Sequence, residues 1–334
     1  MFPILWEERQ KALWKRHNGG DYMTRGLTMS LLLLFAVNAS AEDVMRVPPW
    51  ELHNSFWMSL HQTLIADAMC LKPRELGTLS VNEQATWNGA VAAYRTAGGQ
   101  GDLTFARPMI ITNDGLTQIA DDAKQPIIDA PLADALKHAA PVYRAHWWGS
   151  DNKANQFFIA YAAAMLREAG EDLIRAHEAV YRTAWPKRIL VYISPYAGQS
   201  GAYTMIGKAG GVITTMSSRD SGYQGLRSLE MLLHESAHAV VAPTTGTVAA
   251  AISAAQKQQG LDAPRDLWHA ILFTTSGELT RRLLAERGAT QYVPMSENVF
   301  TKYRESIQKH WIPYLNGQGT LEDAIAKVLS AIPR

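Results

Sequence analysis

Apolar and polar positions alternate with two different periods along the chain. Between Trp50 and Trp185 apolar residues recur every three or four positions, most clearly over 81–96, 132–145 and 155–181, with Asn, Asp and Gly at the joints. That period is one face of an α-helix. Pro108-Met109-Ile110-Ile111-Thr112 interrupts it as a candidate short strand. After Pro186 the pattern changes. Residues 188–193 form a β-branched, apolar run ending at Ser194-Pro195, the mark of a buried strand. Residues 203–206 and 212–216 flank Gly207-Lys208-Ala209-Gly210-Gly211 and predict a hairpin. Helical periodicity returns over 226–241, 248–258, 264–286, 297–309 and 321–332. The expected fold is therefore α+β and mainly helical: a helical region over 42–185, then a small β-sheet and a second helical region over 186–334, with no internal repeat.

The rings Tyr143, His146, Trp147, Trp148, Phe157, Phe158 and Tyr161 crowd one stretch. Aromatics at helical spacing pack helices together, and one wall of a substrate cleft is the other reading.

Composition changes the picture at the N-terminus. Arg25 precedes an apolar stretch over 27–37, and Ala39 and Ala41 follow it in an Ala-x-Ala pattern. Positive region, short apolar core and small-residue site describe a secretory signal peptide over 23–41. The stretch is shorter than the roughly 20 residues of a membrane span. Since 22 residues precede Met23, translation is expected to start there, with 1–22 an over-extended reading of the gene. The expected product is exported, periplasmic or secreted, without a stable membrane anchor once the signal is cut.

Charge excludes more than it suggests. The 334 residues carry 32 Lys plus Arg against 31 Asp plus Glu, with no basic block, so a nucleic-acid surface is not expected. The one cysteine, Cys70, rules out an internal disulfide or a thiolate-rich metal site, and in an exported chain it should be buried or paired between chains.

Candidate chemistry lies in Met231-Leu232-Leu233-His234-Glu235-Ser236-Ala237-His238-Ala239-Val240. On a helix, His234 and His238 lie one above the other and can reach the same ion. Glu235, beside the first of them, can take a proton from water activated by that ion. An apolar helix has little reason to bury two His and a Glu without a partner.

His-Glu-x-x-His in this setting resembles the zincin metallopeptidases. The three-histidine signature is not met, because Val241 and Thr244 stand where it has Gly and His. What remains is similar to the gluzincins, the thermolysin-like group, in which a glutamate from a later helix is the third ligand. That resemblance points to Glu278, although Arg282 occupies the position where the group commonly has an orienting Asp. His269 is the rival ligand, with Asp266 behind it; nine residues before Glu278, His269 is half a turn out of phase, so the two should not share one metal. The losing histidine could stabilise the oxyanion or pack against Trp268. Tyr203 and Tyr223 are further oxyanion candidates. The resemblance also implies a sheet whose edge strand holds an extended peptide, with 212–216 the expected edge.

The implied activity is an exported zinc metallopeptidase holding one Zn²⁺ by His234, His238 and Glu278, with Glu235 as general base and His269 as a catalytic auxiliary, acting on a peptide or protein. A non-catalytic, metal-stabilised binding or assembly protein and a zinc amidohydrolase acting on a non-peptide amide are the alternatives.

Overall fold

Three parallel strands form the centre of the sheet. They are β2 (Trp50–His53), β3 (Ile189–Ser194) and β5 (Val212–Ser217), with β1 (Val44–Val47) antiparallel beside β2 and β4 (Ala202–Ile206) antiparallel beside β5. Every residue of β5 and all but one of β3 are buried because both of their faces are covered. The order across the sheet is β1-β2-β3-β5-β4. Ile206 faces Val212 across a five-residue, glycine-bearing loop, as the hairpin pattern predicts. This computed structural model describes residues 44–333 apart from 72, 100, 101 and 127; the expected extension and signal segment, 1–41, lie outside the described residues.

Alternation along the strands divides the core in two. Val191, Ile193, Val212 and Met216 face one hydrophobic cluster, while Tyr192, Ile213 and Met205 face another. The second cluster is built by α1 (Phe56–Ala68), α2 (Val81–Gly98), α3 (Arg107–Leu116) and α4 (Ala133–His146). The first is covered by α5 (Trp148–Tyr181), α6 (Leu226–Ala237), α7 (Gly246–Gln259), α8 (Leu267–Glu286), α9 (Arg304–Leu315) and α10 (Leu321–Ala331). Ten α-helices and five strands among the described residues make this an α+β fold, mainly helical. None of those helices is long and apolar enough to cross a membrane.

Several local expectations change. Residues 108–112 lie in α3, because Pro108 occupies the first helical turn, where its missing N–H costs nothing. Trp50, expected in a helix, lies in β2, so the sheet takes strands from both sides of residue 185. β5 is interior and buried throughout, and the edge beside it is β4. The helix expected over 226–241 stops at Ala237, and the one expected from 297 starts at Arg304 after two short 3-10 turns. Cys70 is exposed and unpaired, its sulfur accepting a hydrogen bond from Arg95 at 3.3 Å. Tyr143 and Phe158 are buried, in keeping with a packing role for the ring-rich stretch, whereas Phe157 is exposed.

Candidate metal centre

Helix α6 lies between the sheet and α8, and its neighbours fix which way each residue of the motif points. Ser236 faces the sheet, where it accepts a hydrogen bond from Trp50 Nε1 at 2.8 Å and donates to Leu232 O at 2.6 Å. His234 and His238 project together, ring centroids 5.0 Å apart. His269, in the first turn of α8, completes the group: its Nε2 lies 3.2 Å from His234 Nε2, and one ring nitrogen from each of the three imidazoles falls within 4.8 Å of the others.

No carboxylate belongs to this cluster. Burial, reinforced by the neighbouring rings, holds His234 well below the usual histidine range and His238 at about 3. Burial likewise lowers His269 to about 4, against an opposing pull from Asp266. All three are neutral at physiological pH, the form that offers a lone pair to a metal. Tetrahedral zinc with nitrogen ligands at about 2.0–2.1 Å requires neighbouring donors about 3.3 Å apart, close to the separation of the two Nε2 atoms. Three imidazoles at this spacing suit a divalent transition metal, zinc among them. An aromatic collar holds the rings: Phe273 lies 3.8 Å from His234, Trp268 stacks on His269 at 4.9 Å, and Phe300 meets His269 edge-on at 5.2 Å. His234 Nδ1 is buried with no hydrogen-bond partner, and the Phe273 ring lies against the imidazole instead.

Glu235 is buried beside the histidines and receives the Thr204 hydroxyl on Oε2 at 2.8 Å. The same Thr204 hydroxyl lies 2.9 Å from the Glu235 carbonyl oxygen and 2.8 Å from the Thr214 hydroxyl. Burial pushes the Glu235 carboxyl up to about 7, and the bond from Thr204 opposes that rise.

Glu278, expected as the third ligand, lies outside the histidine cluster. Arg281 binds both its oxygens at 2.7 Å, and Arg282 Nε binds Oε1 at 2.7 Å. Burial works against its charge, but these guanidinium bonds prevail and hold the carboxyl below its usual range. Nine residues from His269 also means about 13 Å along the helix and half a turn around it. Arg282, which departs from the gluzincin pattern, is thus the partner that takes Glu278 away. His269, expected as an auxiliary, is the residue that joins the two histidines. Asp266 is occupied by Lys302 and the Tyr303 hydroxyl.

Tyr203 cannot serve an oxyanion through its hydroxyl, which lies on the far side of the sheet accepting from Gln62 at 2.7 Å and Asn113 at 2.6 Å. Tyr223 does border the site. Its hydroxyl donates to Ser200 O, and burial, with the Glu235 carboxylate, raises its proton affinity. A cleft of about 520 Å³, within the range of small-molecule and peptide sites, opens between β4, Tyr223 and the three histidines.

The chain matches no protein-family model, no curated protein and no solved structure. The site itself is therefore the basis for a functional reading. Sequence patterning overlooked Thr204, Phe273 and Phe300. Thr204 carries a period-2 signal, since it shares a strand face with Ala202 and Ile206, but its meeting with Glu235 depends on β4 lying under α6. Phe273, four residues after His269, carries the helical one. Phe300 has no local signal.

Proposed function

We propose that this chain is an exported zinc metallopeptidase whose ion is held by His234, His238 and His269, a zincin-type site in which a histidine replaces the gluzincin glutamate. The observation that carries this reading is the convergence of three neutral imidazoles beside a buried carboxylate at the floor of an open cleft. Structural zinc is normally enclosed by four protein ligands, whereas three ligands facing a cleft leave a position for substrate. Bound zinc supplies the Lewis acidity that polarises a carbonyl and makes water a competent nucleophile near neutral pH.

The protein's own groups divide the remaining work. Thr204 fixes Glu235 through Oε2 and leaves Oε1 to accept the proton of the attacking water and deliver it to the departing amine. Tyr223 offers its hydroxyl to the developing oxyanion once it exchanges the Ser200 carbonyl for substrate. The outer edge of β4 offers backbone groups to an extended peptide, which favours a peptide over another amide. Among the described residues lining the cleft no Lys or Arg offers a counter-charge to a terminal carboxylate, which favours bonds within a chain. Export rests on the signal pattern over 23–41.

Metal analysis combined with Glu235→Gln tests the assignment. The parent should hold about one equivalent of zinc and cleave peptides, and the variant should keep the metal while losing about 10²–10⁴-fold in rate. Undiminished hydrolysis by the variant, or a parent with far less than one equivalent, overturns it.

A further inference from the structure

Residues 288–303, between α8 and α9, are anchored to both helices that carry the imidazoles. Tyr292 donates its hydroxyl to Glu230, and Met295 N–H reaches the same carboxylate at 3.0 Å. Glu230 is buried on α6 about one turn before His234. At the far end of the segment, Tyr303 donates its hydroxyl to Asp266, and Lys302 pairs with the same residue at 2.9 Å. Asp266 stands at the head of α8, three residues before His269. The segment also lies directly on the α8 backbone: a Cβ at Gly277 would meet Pro294 Cβ at 2.9 Å and Ser296 Oγ at 3.0 Å.

Between these anchors Phe300 adopts a left-handed conformation, φ 52°. A bulky side chain is uncommon there and persists only where its surroundings over-determine it. Its ring lies 5.2 Å from His269 and 5.6 Å from Phe273, and Phe273 in turn lies against His234. Two carboxylates, each about a turn ahead of an imidazole on its own helix, thus tether one segment whose strained residue touches the third imidazole.

We propose that residues 288–303 form a clamp across α6 and α8, held by Glu230 and Asp266, in which Phe300 is the positioning residue that keeps His269 at metal-binding distance from His234. The proposal rests on the three-histidine metal site alone and holds whichever reaction that site runs. Phe300→Gly separates the ring from the backbone, since glycine adopts positive φ without strain.

The experiment is a titration of the full chain, stripped of metal, with Co²⁺, reading affinity and the visible ligand-field spectrum, alongside thermal unfolding of the metal-free protein. Phe300→Gly should still unfold cooperatively, yet bind Co²⁺ at least tenfold more weakly with an altered spectrum. Phe300→Tyr should restore the parent values, and Glu230→Ala should weaken binding as Phe300→Gly does. Parent affinity and spectrum in both Phe300→Gly and Glu230→Ala would overturn the clamp while leaving the metal site standing. A parent chain that binds no Co²⁺ overturns the metal site and the clamp together.

Discussion

Two polar interiors in this molecule are built on opposite plans. Around Asp151 the charge is met by opposite charge and donors: its carboxylate accepts from Arg74 at 2.6 Å, Tyr143 at 2.9 Å and Arg219 at 3.1 Å. Asn155 nearby donates to Asn54 and Ser59 and accepts from Ser218. Around His269 three neutral imidazoles turn nitrogens towards one another with no carboxylate among them. A buried carboxylate met by two guanidinium groups rigidifies the scaffold, whereas imidazole nitrogens that converge with no carboxylate among them can receive a cation. The two glutamates repeat the contrast. Glu278 is taken up by two guanidinium groups, while Glu235 has a single side-chain donor, the Thr204 hydroxyl.

The strongest way to break this comparison is to remove one imidazole. His269→Ala should lose stoichiometric zinc, with affinity reduced more than about 100-fold, whereas Glu278→Gln should retain one equivalent; metal analysis after dialysis reads both. Retention by the first and loss by the second would return the third-ligand role to Glu278. Next in size is Asp151→Ala, which leaves Arg74 and Arg219 without their shared buried partner and should cost about 3–5 kcal/mol in denaturant unfolding. A cost below about 1 kcal/mol would mean that the network is not the scaffold described above.

A smaller, pH-dependent effect belongs to Glu230. Burial raises its carboxyl to about 7, against opposing hydrogen bonds from Tyr292 and Met295. Between an unfolded value near 4.5 and that folded value the native state holds the extra proton, so stability falls as pH rises through this window and the penalty is complete above about 7. Glu230→Gln should remove that fall, worth about 3 kcal/mol. Neutral histidines such as His177, lowered by burial to about 4, drive the whole-protein profile the opposite way. The difference between variant and parent across pH 4.5–8 is therefore the quantity to measure. Least affected should be the stability of Glu278→Gln, about 1 kcal/mol or less, because its arginines are partly solvated.

Legibility followed the range of the interactions. Helices with one buried face and one wet face, such as α2 and α10, were plain from their periodicity, and the capping box of Ser80 and Glu83 marks the start of α2. Helix α1 is buried at every position, so it carries no amphipathic stripe to read. Strand β2 has four residues, and its identity depends on pairing with β3, more than 130 residues away. The edge of the sheet was misassigned for the same reason, since strand order is not encoded in the run of a single strand.

At the site, His234, Glu235 and His238 follow from spacing alone, because the geometry of a helix carries residues four apart to one face whatever surrounds them. The third ligand does not follow. His269 and Glu278 share α8 and an apolar setting, and their half-turn offset makes them exclusive without choosing between them. The choice came from how α8 crosses α6, which turns the first turn of α8 towards the histidines and leaves Glu278 to Arg281 and Arg282. Local periodicity reports which residues travel together on one element. Which element meets which depends on packing between distant segments, and that packing brought the three histidines together.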